Sequence, residues 1–323
     1  MKTIALIHTG GTVSMRTDKA SGDVTTANKH PMTDLTYYFQ SIANVVEYIP
    51  FSLPSPQITP AHMLQLAQKI HELSDTYDGF VITHGTDTLE ETAYFLDLST
   101  SVQQPIIITG AMRSANEIGS DALYNLISSI RTAAHPQAWD QGVLVVMNDE
   151  IHTARHVSKT STSNVATFQS PQSGPIGMIT KQSILFYHAI LKRHTYRINH
   201  LTKKVFLCKG YAGMDEELLE TVKQAKPDGI VIEGLGEGNL PNNTVASLTS
   251  FVNDNIPVLM VSRCHTGMVQ PTYGYEGGGK QLKEMGIIFA GGLTGPKARI
   301  ELLMALEETG NPKKLKQIFE QAH

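Results

Sequence analysis

The stretch from Asp78 to Ala93, DGFVITHGTDTLEETA, constrains the fold more than any other part of the chain. Gly79, Phe80, Val81 and Ile82 form a short apolar run that reads as a buried strand. The polar cluster His84, Gly85, Thr86, Asp87 and Thr88 follows at once, and a helix is expected from Leu89. A strand that empties into a polar turn and then a helix belongs to an open α/β sheet, where ligands bind at the strand ends. The start of the chain repeats the pattern: Thr3, Ile4, Ala5, Leu6 and Ile7 read as a strand leading into Thr9, Gly10, Gly11 and Thr12. The two glycines let the backbone turn tightly and let a substrate approach it closely. Two strand ends that each present a threonine hydroxyl suggest nucleophilic chemistry. Each motif also has a plain reading, TGGT as a tight turn and HGTDT as a helix cap with Thr and Asp in N-cap roles.

The rest of the chain keeps the same alternation, the mark of strand-helix repeats and a mostly parallel sheet. Further N-terminal strands are expected at Ile106 to Thr109 and Val143 to Met147, and helices at Ala61 to Leu73, Leu89 to Leu98 and Asp121 to Ala134. The last carries Leu123, Leu126, Ile127 and Ile130 at helical spacing. After Ser183 the pattern loosens into a basic stretch, Lys192, Arg193, His194, Arg197, His200, Lys203 and Lys204, which reads as a linker. It lacks interleaved exposed aromatics beyond Tyr196, so nucleic-acid binding is not expected of it. A second α/β unit follows, with strands at Val205 to Cys208, Gly229 to Ile232 and Val258 to Ser262 and helices near Glu216 to Gln224, Ala246 to Asp254 and Ala298 to Glu307. The expected organisation is a domain over 1–190, a linker over 191–204 and a smaller domain over 205–323.

The 323 residues suit about two domains and bury a core without disulfide or metal support. A formal net charge of -4 with 17% charged residues calls for neither nucleic acid nor a membrane surface. Cys208 and Cys264 both lie in or beside apolar strand-like runs and read as buried thiols, with a disulfide disfavoured. Met1 and Lys2 lead directly into the first strand without a leader pattern, and no apolar run approaches the ~20 residues of a membrane span. A cytoplasmic location is therefore expected.

TGGT after the first strand and VITHGTDTLEETAYFLD from Val81 to Asp97 together closely resemble the bacterial L-asparaginase family. Further matches run in the family's order along nearly the whole chain: ITGAMR at Ile108 to Arg113, GVLVVMND at Gly142 to Asp149, KTST at Lys159 to Thr162, ATFQS at Ala166 to Ser170 and GPKAR at Gly295 to Arg299. The resemblance implies a larger flavodoxin-like, Rossmann-like N-terminal domain and a smaller α/β C-terminal one. It implies hydrolysis of L-asparagine to aspartate and ammonia through an acyl-enzyme, with minor glutaminase activity and without metal or cofactor. It also implies a homotetramer built as a dimer of dimers with shared sites.

Carboxamide hydrolysis needs a nucleophile, a base, donors for the oxyanion and an acid for departing ammonia. A threonine hydroxyl is inert at neutral pH unless a neighbour takes its proton. By resemblance Thr12 is the nucleophile, and Thr86, Asp87 and Lys159 form a second cluster in which lysine activates threonine. Lysine accepts a proton only when neutral, and Asp87 opposes that; a substrate ammonium paired with Asp87 would weaken the carboxylate's pull on Lys159. Asp87 and Glu276 match the family's ammonium partners and Ser55 its carboxylate-binding serine. Asn239, in GEGNLP, matches an asparagine from a neighbouring subunit, which would also supply Glu276, so a monomer would lack a complete site. Two departures stand out. Pro56 replaces the glutamine many relatives place beside the serine, and the stretch from Arg16 to Asn28 lacks the loop tyrosine that assists the nucleophile, with Tyr37 and Tyr38 too late to serve. Which group assists Thr12 is left open, while Gly22 and small polar residues suit a lid.

Other motifs point elsewhere. GYEGGGK at Gly274 to Lys280 has a phosphate loop's glycine and lysine spacing, but Gln281 stands where Ser or Thr would hold magnesium. His152 and His156 would share one helix face, yet no third ligand is evident, and GGLTG from Gly291 reads as a turn or helix approach. Two other functions compete with the asparaginase reading. The asparaginase-like subunit of the archaeal tRNA-dependent amidotransferase carries a domain before TGGT, whereas here TGGT begins at Thr9. Retention of both threonines, Asp87 and Lys159 disfavours a catalytically dead amino-acid binder or sensor, which has no use for a nucleophile. Asparagine and glutamine differ by one methylene, worth about 1 to 3 kcal/mol in a pocket, which the sequence does not resolve.

Overall fold

The computed structural model of the chain describes residues 1–11, 15–17, 24–26, 37–190 and 194–321. It divides into two units, Met1–Thr195 and Tyr196–His323. In the first, the strands are β1 (Thr3–His8), β2 (Met15–Thr17), β3 (Val24–Thr26), β4 (Asn44–Tyr48), β5 (Gly79–Thr83), β6 (Ile106–Thr109), β7 (Val143–Met147), β8 (Glu150–Thr153), β9 (Ser158–Lys159), β10 (Phe168–Gln169), β11 (Gly177–Ile179) and β12 (Ile184–Phe186). Its helices are α1 (Pro60–Leu73), α2 (Leu89–Ser99) and α3 (Ala122–Ala134).

Eight of these strands form one sheet in the order β12-β11-β8-β7-β6-β5-β1-β4. From β7 to β4 neighbours are parallel; β8, β11 and β12 extend the sheet antiparallel. Counted within the parallel set alone the order is 2-1-3-4-5, the flavodoxin-like arrangement, whose ligand crevice opens between its first and third strands. Here those are β1 and β5. Their last residues, His8 and Thr83, are paired, and the Thr9 N–H continues the ladder to the Thr83 carbonyl at 3.1 Å. The two polar turns therefore leave the sheet side by side at the switch point.

β1, β5, β6 and β7 are covered on both faces, which is why they read as unbroken apolar runs. Ile4, Leu6, Val81, Ile107, Leu144 and Val146 form a core with Leu126, Ile130 and Ala133 of α3. The alternate residues Ala5, Ile7, Phe80, Ile82, Ile106 and Ile108 are equally buried and face the other layer, where α2 packs on β6 and β7 and α1 packs on α2.

The second unit is a four-stranded parallel sheet, β13 (Val205–Lys209), β14 (Gly229–Gly234), β15 (Val258–Ser262) and β16 (Ile288–Phe289), with helices α4 (Glu217–Gln224), α5 (Val245–Asn253), α6 (Gly279–Glu284), α7 (Gly295–Glu308) and α8 (Pro312–Gln321). One face buries Ile230, Ile232, Met260 and Phe289 against Leu219, Leu248 and Phe251. Against the other, α7 sits so close that a side chain at Gly229 would meet Leu302 and Leu306 at 3.0–3.1 Å. Among the described residues no helix is long and apolar enough to cross a membrane.

Four expectations are corrected. Ile184–Phe186 is the outermost strand of the large sheet rather than the start of a looser segment. Tyr196 is 1% exposed and its hydroxyl donates to Glu301 at 3.3 Å, so the basic stretch presents no aromatic there. Cys264 is exposed, while Cys208 is buried, and both are free. His152 lies on strand β8 and His156 in the turn after it, so no helix face unites them.

Directly after β5, the His84 ring is fully buried. Its Nδ1 is 2.8 Å from the Gly85 carbonyl oxygen, which only accepts, so Nδ1 carries the proton. Nε2, 2.9 Å from Thr92 Oγ1 on α2, then accepts the threonine hydrogen. Burial pushes the ring's pKa down to about 4 from 6.5, against the Gly85 hydrogen bond, which raises it. Between those values the unfolded chain takes up a proton that the folded chain refuses, so stability falls as pH drops from 6.5 towards 4. Urea unfolding at pH 7.5 and 4.5 is expected to show a loss of about 2 to 3 kcal/mol from this group. His84→Gln removes that share of the acid loss; an identical loss in the variant would refute the assignment.

Candidate active site

The switch point is built from backbone pressed against backbone. Gly11 has φ +78° and a side chain there would lie 2.3 Å from the Cα and N of Gly85. Gly10, at φ +108°, turns against Leu53, whose N–H donates to the Thr9 carbonyl at 2.9 Å. Gly85 also faces Ser55, whose Cβ and Oγ a Gly85 side chain would meet at 2.6 and 2.7 Å. The turn after β1, the turn after β5 and the Ser55 side chain thus stack with no space for a side chain at Gly11 or Gly85.

That stacking fixes Ser55. The residue is buried and opens a single 3-10 turn, Ser55–Gln57, held between Pro54 and Pro56. Its Oγ accepts the Asp87 N–H at 3.1 Å, and its carbonyl accepts the Thr88 hydroxyl at 2.8 Å. Because Oγ accepts there, its own hydrogen is left to donate, as a carboxylate ligand requires. Thr88 stands at the N-cap of α2 but makes no side-chain bond to the helix, so its hydroxyl serves the Ser55 segment instead of the cap.

Lys159 arrives from β9, which forms a two-stranded antiparallel ribbon with β10. Its Nζ lies 2.9 Å from Thr86 Oγ1 and 2.7 Å from Asp87 Oδ1. Thr86 is buried, the lysine side chain is 16% exposed and the Asp87 side chain 56%. The ammonium is therefore enclosed by its two partners while the carboxylate keeps a face towards solvent. Thr86 accepts from Nζ and keeps its own hydrogen for another acceptor.

Ser55, Thr86, Asp87 and Lys159 are thus brought together in the first unit. Thr12 lies outside the described residues; Gly11, directly before it, is buried against Gly85. Much of the loop from Val13 to Lys29 is also outside them, although β2 and β3 within it pair antiparallel. In the second unit Asn239 and Glu276 are brought together: the Leu240 N–H donates to the Gly277 carbonyl at 2.9 Å, and Asn239 Oδ1 accepts the Gly279 N–H at 3.0 Å. Glu276 is exposed. Gly278 and Gly279 of the glycine-rich run lead into α6, six residues long, and GGLTG leads into α7 with Thr294 at its N-cap. In the sequence a tight turn and close substrate approach account for Gly10 and Gly11; the structure adds that Gly11 and Gly85 make room for each other. The signal was present, a glycine in each of two strand-end turns, but only the sheet order makes them neighbours.

Comparison with known proteins covers both units. The family model described as Asparaginase, N-terminal, matches residues 3–192, and that of the Glutaminase/Asparaginase C-terminal domain matches residues 204–319. The chain is 38% identical over 322 residues to a probable L-asparaginase of Deinococcus radiodurans, covering 98% of this chain and 97% of that one. It is 33% identical to an L-asparaginase of Bacillus licheniformis, with 94% and 95% covered, and 35% identical to L-asparaginase 2 of Escherichia coli, with 98% and 92% covered. The sheet order, the paired turns at its switch point and these matches along nearly the full length agree, and the chain belongs to the bacterial L-asparaginase family.

Proposed function

We propose that this chain hydrolyses L-asparagine to L-aspartate and ammonia through an ester on Thr12. The observation that supports it most is the Lys159 ammonium shared by Thr86 and Asp87 at the switch point. The Thr12 hydroxyl adds to the side-chain amide carbon, its proton leaving to the assisting base. The resulting oxyanion collapses, the C–N bond breaks and the nitrogen leaves as ammonia with a proton delivered to it. Water then adds to the ester carbonyl, and collapse releases aspartate and restores the threonine hydroxyl.

Lys159 and Thr86 handle protons in this scheme, and Asp87 sets when they do so. Substrate brings an ammonium to the open face of Asp87, where it competes with Lys159 for the carboxylate. The free Ser55 hydroxyl hydrogen takes the substrate's α-carboxylate. Glu276 and Asn239 belong to the same pocket by reaching in from a neighbouring copy, so the active form is a homotetramer assembled as a dimer of dimers. Glutamine is a slower second substrate, and the two unpaired thiols favour the cytoplasm as the setting.

Ammonia release from L-asparagine and L-glutamine, measured side by side, tests the reaction. Asparagine is expected to be favoured at least about tenfold in kcat/KM, and Thr12→Ala to lose about a thousandfold or more. If asparagine binds by calorimetry and neither amide is hydrolysed, the chain is an amino-acid binder. Gly85→Ala forces a methyl into Ser55 and is expected to raise KM about tenfold while kcat changes less; an unchanged KM would disconnect Ser55 from the substrate. Sedimentation across a dilution series is expected to show activity falling with the tetramer. Full activity in a sedimenting monomer would exclude a shared site.

A further inference from the structure

Lys159 must hold two hydrogen bonds at 2.7 and 2.9 Å, yet the strand that carries it has two residues and its partner strand two more. So short a ribbon is a weak mount. The further restraint comes from Glu90, in the first turn of α2. Its Oε1 accepts the Lys159 backbone N–H at 3.1 Å, and its Oε2 accepts the Ser158 hydroxyl at 2.9 Å. Both oxygens of one carboxylate therefore grip two consecutive residues of β9. The Lys159 N–H goes to Glu90, while the neighbouring bond to the β10 side is made by the Thr160 N–H to the Thr167 carbonyl at 2.8 Å.

This fastens the lysine at both ends to one helix start. Thr86 and Asp87, which meet its ammonium, immediately precede α2, and Glu90, which meets its backbone, is in the first turn. Helix start and lysine then move as one piece even if the ribbon shifts. A carboxylate accepting from N–H and O–H donors makes strong, charge-assisted bonds, and a helix N-terminus favours its charge.

We propose that Glu90 is the positioning residue for Lys159, holding residues 158 and 159 so that Nζ stands between Thr86 Oγ1 and Asp87 Oδ1. This rests on the reading in which Lys159 handles protons during hydrolysis. Glu90 acts through the lysine and does not touch substrate. A shift of about 1 Å at Nζ breaks both bonds and is the scale of error that costs about a hundredfold in rate.

A double-mutant cycle with Glu90→Ala and Lys159→Ala, read as asparagine kcat and KM, tests it beside amide hydrogen exchange. Glu90→Ala is expected to lower kcat about ten- to a hundredfold with KM within about twofold, and to cost less than about twofold more in the Lys159→Ala background. Glu90→Gln, whose amide oxygen accepts from Lys159 and whose NH2 donates to Ser158, is expected to restore most of kcat. The Lys159 amide exchanges faster in Glu90→Ala while α2 keeps its protection. Ser158→Ala severs one arm without touching the helix, and a several-fold kcat loss that also vanishes in the Lys159→Ala background is expected should Glu90→Ala fold poorly. Losses that multiply across the cycle, an unchanged Lys159 amide, or deprotection spread through α2 would each overturn the inference alone. Full activity in Lys159→Ala would instead remove the lysine's role in hydrolysis, and this inference with it.

Discussion

Everything at the switch point depends on how closely two backbones approach. Gly11 and Gly85 meet where even a methyl carbon would overlap main-chain atoms, and the Ser55 side chain packs against Gly85 as well. The spacing sets where the Asp87 N–H finds Ser55 Oγ and where α2 begins. The sheet supplies the alignment, since His8 and Thr83 end paired strands. The glycines turn that alignment into contact, and the hydroxyls and carboxylate that follow them inherit fixed positions.

Upon this mount sits an electrostatic balance. Asp87 Oδ1 lies 2.7 Å from the Lys159 ammonium, while the carboxylate keeps a face open to solvent. That open side leaves the carboxylate accessible to a second cation while it still holds the lysine. In the proposed reaction the α-ammonium of the amino acid is that second cation.

The fold was legible where strands are buried on both faces. Ile106–Thr109, Val143–Met147 and Val258–Ser262 match their expected bounds because unbroken apolar runs have sharp ends. β4 was missed because it is an edge strand with half-exposed residues, and β8 to β12 because two to four residues are too few to show a period. Tyr196 and Cys264 were misjudged since neither lies in an element whose periodicity reveals its face. For the site, HGTDT and TGGT announced themselves by following strands, but Lys159 is 73 residues from Thr86 and entered only through family resemblance. Nothing in the spacing of Glu90 to Ser158 and Lys159 distinguishes it from an ordinary acidic residue at a helix start.

That separation bears on how the enzyme is born. A ribosome adds about 5 to 20 residues per second, so roughly 4 to 15 s pass between the synthesis of Thr86 and that of Lys159. During that interval the nascent chain already holds the β1 and β5 turns and the α2 sequence, but not the ammonium that engages Thr86 and Asp87. The hydroxyl and carboxylate are exposed to the cell before their partner exists. A chain stalled or cut before residue 158 therefore lacks the ribbon outside the main sheet that brings the ammonium to Thr86 and Asp87, however well its parallel strands have formed.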